Sequence, residues 1–144
     1  MTTRVTFYDI APEGRFALAV RLAVAAWDKD KRIIIRCWPT EAAELDQHLW
    51  VYREEAFVPH EVCDDATRLL DPEARVVIVT RDVRTIAADI LLQLAPTDLA
   101  FAREFDTVID IVDHGDQARL DASRARYRAW ADAGLKPDLK KTGS

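Results

Sequence analysis

Two short runs of β-branched residues constrain the fold of this chain more than any other feature. Ile33-Ile34-Ile35, continuing through Arg36-Cys37-Trp38, and Val76-Val77-Ile78-Val79 are apolar almost without a break. A strand with one wet face alternates apolar and polar residues, whereas a strand apolar at every position is covered on both faces. Helices on each side of a mostly parallel sheet provide that cover. The runs therefore predict an α/β fold, a single three-layer domain with a mostly parallel central sheet and helices on both faces. At 144 residues the chain has the size of one domain and can bury a substantial core. No internal repeat or linker divides it.

The remaining segments alternate in kind. Residues 4–10, with Val5, Phe7 and Tyr8, read as a first strand. Pro12 and Gly14 break it. In 16–27, Phe16, Val20, Ala23 and Trp27 recur at spacings of four, three and four, which predicts a helix. Asp28-Lys29-Asp30-Lys31 is a polar turn. Pro39-Thr40 opens a second helix, with Thr40 as its N-cap. That helix carries Leu45 and Leu49 on one face. It ends near Trp50 or Tyr52, because Pro59 forces its approach to be extended. Residues 61–74 are polar and loop-like. Pro96-Thr97-Asp98 starts a short helix reaching about Phe105. Residues 108–112 form a further β-branched strand, and 113–116 turn around Gly115. The last helix spans 117–133 and stops at Gly134. The reading gives an α/β domain over 1–135 and a flexible C-terminal tail over 136–144. Residues 86–94 stay open between helix, favoured by their Ala and Leu content, and strand.

Charge narrows the functions. The net charge is −5, so the whole surface does not hold DNA electrostatically. The distribution is uneven. Residues 119–141 hold seven Lys/Arg against three Asp/Glu, leaving −9 on the rest of the chain. An acidic body with a basic C-terminal segment suggests a local anionic partner. No apolar run approaches the ~20 residues of a membrane span. Residues 1–4 lead straight into a strand, so no signal peptide is expected. Cys37 and Cys63 have no metal-ligand spacing and read as reduced structural thiols, which fits a cytoplasmic protein.

Catalytic patterns are sparse. The four glycines, at 14, 115, 134 and 143, form neither a GxGxxG nor a phosphate loop. Neither serine, Ser123 or Ser144, sits in a GxSxG elbow. His48, His60 and His114 lack partners at metal spacing. His60 reads as a hydrogen-bonded turn histidine rather than a general base. Asp9 ends the first strand, where α/β enzymes place their chemistry, but the companion acids are missing and it reads as a solvated loop aspartate. A small enzyme or nucleotide-binding domain with a site near Asp9 is the alternative to a non-enzymatic binding protein without cofactor or metal. On the last helix, counting 100° per residue, Ala122, Ala129 and Ala133 fall within about 80° of Ala125 and would pack on the sheet. Arg124 and Arg128 then share the other side with Tyr127 and Leu120, and Arg126 turns toward the buried edge. The arginines are either a solvated face or, with an aromatic and an aliphatic among them, a site for an acidic peptide with a hydrophobic end. Trp50 and Phe57 are either core or anchors on a binding surface.

Several segments carry a resemblance. Val5-Thr6-Phe7-Tyr8, then Leu45-Asp46 with Leu49-Trp50, then Phe57-Val58-Pro59-His60 stand in the order of the chi subunit family of DNA polymerase III. Arg124-Ala125-Arg126-Tyr127-Arg128-Ala129-Trp130 followed by Ala133-Gly134 resembles that family's basic C-terminal stretch. The chain lacks the glycine that the family has near residues 28–31, and carries Gln93 where Asn is usual. The resemblance implies a strand from about Ile90, matching Asp89, Leu91 and Leu94. It implies an accessory subunit that binds the acidic, Pro-Phe-ending C-terminal tail of single-stranded-DNA-binding protein through Arg124, Tyr127 and Arg128. Val112 would form the apolar wall, and Arg119 would be a further candidate. It also implies a second surface, Trp50, Phe57 and Pro59, for a psi subunit or other clamp-loader component. No direct DNA binding and no membrane are expected.

Overall fold

The computed structural model describes residues 3–51 and 58–141. The elements are β1 (Arg4–Asp9), α1 (Arg15–Asp28), β2 (Ile33–Arg36), α2 (Ala42–Trp50), β3 (Glu61–Val62), β4 (Val76–Val79), β5 (Ile90–Gln93), α3 (Leu99–Ala102), β6 (Thr107–Val112), α4 (Gln117–Asp132) and β7 (Asp138–Lys141). Among the described residues the strands form one sheet in the order β3-β4-β2-β5-β6-β1-β7. Every recorded pairing is parallel.

The apolar runs are buried on both faces because strand side chains alternate. Ile33, Ile35, Val76 and Ile78 join the core beneath α1 and α2, with Leu18, Ala23, Leu45 and Leu49 from those helices. Ile34, Val77, Val79 and Leu91 join the opposite core with Val5, Phe7, Val108, Phe105 and Trp130. Helices cover both faces, as the unbroken hydrophobicity of β2 and β4 requires. The open stretch 86–94 resolves as strand from Ile90, wedged between β2 and β6. No described helix is long and apolar enough to cross a membrane.

Three local expectations change. The second helix is not capped by Thr40. A turn of 3-10 helix spans Pro39–Glu41, with Trp38 in the N-cap position and Pro39 at N1. Glu41 accepts the Trp38 backbone N–H at 2.9 Å, the carboxylate three residues on reaching back to the start of the turn. The short helix after Pro96 regularises only over Leu99–Ala102, and tighter i to i+3 turns carry the chain to Phe105. The turn after α1 places Asp30 at φ 58°, the left-handed region glycine normally fills. Its carboxylate pairs with Arg75 at 2.8 Å, and Arg75 lies 4.6 Å over the Trp27 ring. Within the expected tail, 136–144, Asp138–Lys141 forms the edge strand β7, paired to β1 from Thr6↔Asp138 to Asp9↔Lys141, and 142–144 lie outside the described residues.

The buried side of α4 also differs. Ser123 and Trp130 are its buried residues, while Ala122, Ala125 and Ala129 are exposed. Measured from Ser123, Tyr127 and Trp130 lie within about 40° and Arg126 at about 60° on one flank. An indole buries far more apolar area than several methyl groups, so Trp130 sets the inward face. Ser123 Oγ accepts from Asp113 N at 2.9 Å and donates to Arg119 O at 3.0 Å, pinning the helix to the end of β6.

Candidate functional site

Parallel strands deliver their carboxyl ends to one edge of the sheet, and the loops and helices that follow build sites there. Two clefts at that edge carry candidate residues. The first lies between α4 and the ends of β6, β1 and β7. Phe7, Asp9, Val112, His114, Leu120, Ser123, Arg124, Tyr127, Arg128 and Leu139 line about 420 Å³. Arg124, Tyr127, Arg128 and Val112, singled out from sequence, thus meet in one place. The rotation of α4 explains the grouping. With Ser123 inward, Leu120, Arg124 and Arg128 follow one another up the flank at about 60°, 100° and 140°.

The floor is apolar and rigid. Tyr127 meets the Phe7 ring edge-on at 5.2 Å between centroids. Its hydroxyl donates to Pro137 O at 3.1 Å, drawing the chain after α4 back along β1. β7 then brings Leu139, 52% exposed, into the cleft. Arg124 and Arg128 are exposed and take no hydrogen bond or ion pair among the described residues. Arg126, two positions away, is spent. Its Nε lies 2.8 Å from Asp110 Oδ2 and its Nη2 3.1 Å from Oδ1. Asp110 is fully buried, and burial pushes its carboxyl above the usual range, with Arg126 pulling the other way. Arg119 does not join the cleft. It lies 5.1 Å over the Trp38 ring and 3.9 Å from Asp113.

Asp9 is not a solvated loop residue. It is the last residue of β1, and its Oδ1 lies 2.7 Å from His114 Nε2. Neither it nor His114 stood out as part of this site, because the contact spans 105 positions of sequence. Leu139 was hidden for the same reason, since only the pairing of β7 with β1 brings it in.

The second cleft, about 870 Å³, lies between α1 and α2 and includes Arg15, Phe16, Glu41, His48, Asp113 and Arg119. Its ions compensate one another. Arg15 is buried, donates to Glu41 at 2.8 Å and to Leu94 O at 2.7 Å, and lies 4.0 Å from Asp113. These contacts make the cluster an internal clamp that joins α1 to the chain after β5 and β6.

A third groove, about 680 Å³, lies at the far side, with Trp27, Trp50, Pro59, His60 and Leu70 among its walls. Trp50 is 48% exposed and packs 4.9 Å from the His60 ring. Pro59 is exposed and lines the same groove, whose walls also carry Asp30, Arg32, Glu61, Asp71, Glu73 and Arg75. Phe57 lies outside the described residues. His60 is locked. Nδ1 sits 2.8 Å from Val58 O and Nε2 3.0 Å from Asp46 Oδ1. With both nitrogens engaged, it is the turn histidine expected. Both cysteines are free and buried. Burial, then Glu41, pushes the Cys37 thiol up to about 12, which removes it as a nucleophile at neutral pH. Among the described residues no cluster of His, Cys, Asp or Glu could hold a metal.

Fold and clefts define a small parallel α/β domain that presents an arginine-flanked, apolar-floored cleft beside its last helix. The chain belongs to the DNA polymerase III chi subunit (HolC) family, whose model matches residues 1–138. It is 31% identical over 136 residues to DNA polymerase III subunit chi of Pseudomonas aeruginosa, covering 92% of each chain. It is 33% identical over 139 residues to the Escherichia coli subunit chi, covering 90% of this chain and 92% of the other. The Haemophilus influenzae subunit chi is 30% identical over 112 residues, 77% of this chain and 76% of the other. Membership of this family makes the chain a DNA replication accessory subunit.

Proposed function

We propose that this subunit binds the acidic C-terminal tail of single-stranded-DNA-binding protein in the α4 cleft and links it to the clamp-loader side of the polymerase. One observation carries the reading: Arg124, Arg128, Tyr127 and Val112 line a single cleft with an apolar floor. A chain ending in Pro-Phe presents a ring, a terminal carboxylate and preceding aspartates. The floor suits the ring, and two uncommitted guanidinium groups suit the carboxylates, since each offers parallel donors. The subunit acts as an adaptor without chemistry of its own.

The second contact uses the patch of Trp50 and Pro59, with Phe57 as the third anchor of the proposal, for a psi subunit or another clamp-loader component. An aromatic half exposed beside a proline is the kind of residue that anchors an interface. Calorimetric titration with an acidic peptide ending in Pro-Phe tests the first contact. The peptide binds, and the same peptide lacking its terminal Phe loses at least an order of magnitude in affinity. Equal affinities for the two peptides refute the proposed pocket.

A further inference from the structure

The α4 cleft holds one feature that works against an acidic ligand. Asp9 lies among its lining residues, on the strand side, while Arg124 and Arg128 line the helix side. Asp9 is held by His114 from the loop between β6 and α4 at 2.7 Å, with side chains 29% and 39% exposed respectively. Other charged groups face this pair. Lys141 of β7 is the register neighbour of Asp9. Arg124 and Arg128 of α4 share the cleft. Lys140, one residue earlier, turns to the opposite face, 6.0 Å over the Tyr8 ring. Asp113, beside His114 in sequence, is turned away, accepting the Gly115 N–H at 2.9 Å and approaching Arg15 and Arg119.

We propose that Asp9 and His114 are specificity-determining residues of the cleft: they keep a ligand carboxylate off the strand side, confine it to Arg124 and Arg128, and relax that rejection when His114 is protonated. The proposal rests on the acidic-peptide reading above and deepens it. Discrimination between ligands requires a repulsive element as well as an attractive one. Asp9 is such an element. Its charge disfavours carboxylates placed near the end of β1 and leaves neutral peptides untouched. Protonation of His114 adds a positive charge 2.7 Å from Asp9 and cancels much of that field. A peptide's carboxylates titrate near 3.3–3.9. Between pH 7.5 and 5.5 the ligand's carboxylates therefore stay ionised, and with the peptide's amino terminus acetylated a change in affinity belongs to the protein. The other histidines stand elsewhere, His48 in the α1–α2 cleft and His60 in the groove beside Trp50.

The test is calorimetric titration of the full chain with an acidic peptide ending in Pro-Phe, and with its twin carrying Asn for each Asp and an amidated C-terminus, at pH 7.5 and 5.5. At pH 7.5, Asp9→Asn, which retains an oxygen for the His114 hydrogen bond, tightens the acidic peptide roughly two- to fivefold and leaves the twin unchanged. The wild-type chain tightens on the acidic peptide by a similar factor on going to pH 5.5. His114→Gln matches wild type at pH 7.5 and does not tighten at pH 5.5. Weaker or unchanged binding of the acidic peptide by Asp9→Asn overturns the proposal, as does a pH response that survives in His114→Gln. Failure of wild type to bind the acidic peptide at either pH overturns the underlying peptide reading instead. Equal melting temperatures of the three proteins establish that the variants are folded.

Discussion

Arg124 and Arg126 are two positions apart on α4 and serve different ends. Arg126 spends its fork on buried Asp110, which also accepts Gln93 Nε2 at 3.0 Å and the Ile111 N–H at 2.7 Å. Breaking a buried pair from one side strands the other charge, so Arg126→Met costs about 3–5 kcal/mol of stability at neutral pH. The cost depends on pH with a definite sign. Burial already raises the Asp110 carboxyl above its usual value and Arg126 opposes this, so loss of Arg126 raises it further. A carboxyl raised in the folded state favours folding below the unfolded value, and that contribution disappears as pH rises through the folded value. Thermal melts should therefore show a smaller gap between Arg126→Met and wild type at pH 5 than at pH 8. A constant or widening gap on acidification contradicts this account of Asp110.

The elements differ in how openly the sequence declares them. β2 and β4 are legible because every position but Arg36 is β-branched, and only a doubly covered strand tolerates that. β5 was ambiguous: Ile90-Leu91-Leu92-Gln93 has side chains that suit either element, and its strand form comes from pairing with β2 and β6. β7 was not legible at all. Asp138-Leu139-Lys140-Lys141 is exposed along its length and has no apolar pattern; only its partner β1, more than a hundred residues away, makes it a strand. Lysines are ordinary on such an edge, where they discourage further pairing. The inward face of α4 was misread because small residues suggested close packing, whereas one tryptophan outweighs them. The pairing of Arg124 with Arg128 beside Tyr127 survived that error, since their mutual spacing does not depend on which face is buried. The Tyr127 hydroxyl ties β7 to α4 through Pro137 O. Tyr127→Phe should lower stability by about 1 kcal/mol and speed hydrogen exchange at the β7 amides. Unchanged exchange at 138–141 would show that the strand does not depend on this tie.

At the scale of the whole molecule, the two surfaces lie toward opposite edges of the sheet, as the proposed tether requires. The α4 cleft sits where β6, β1 and β7 end, and the Trp50 groove lies near β3 at the other edge. Trp50 is half exposed, so Trp50→Ala should weaken association with a clamp-loader component while shifting the melting temperature little. A large stability loss with intact association would make the residue core instead. A net charge of −5 disfavours capture of a nucleic acid backbone by the surface as a whole. Fluorescence anisotropy should show no appreciable binding of a bare single-stranded oligonucleotide at physiological salt, and tight, salt-sensitive binding would contradict that. The central claim is that the arginine flank of α4 captures an acidic chain end. Its most direct test is calorimetric titration of a Pro-Phe-ending acidic peptide into wild type, Arg124→Ala and Arg124→Lys. Loss of a charge-assisted contact typically costs ~1.5–3 kcal/mol, so Arg124→Ala should bind roughly ten- to a hundredfold more weakly. Lysine restores the charge but not the fork, and should rescue only in part. Equal affinities of wild type and Arg124→Ala, or no binding by either, contradict the account.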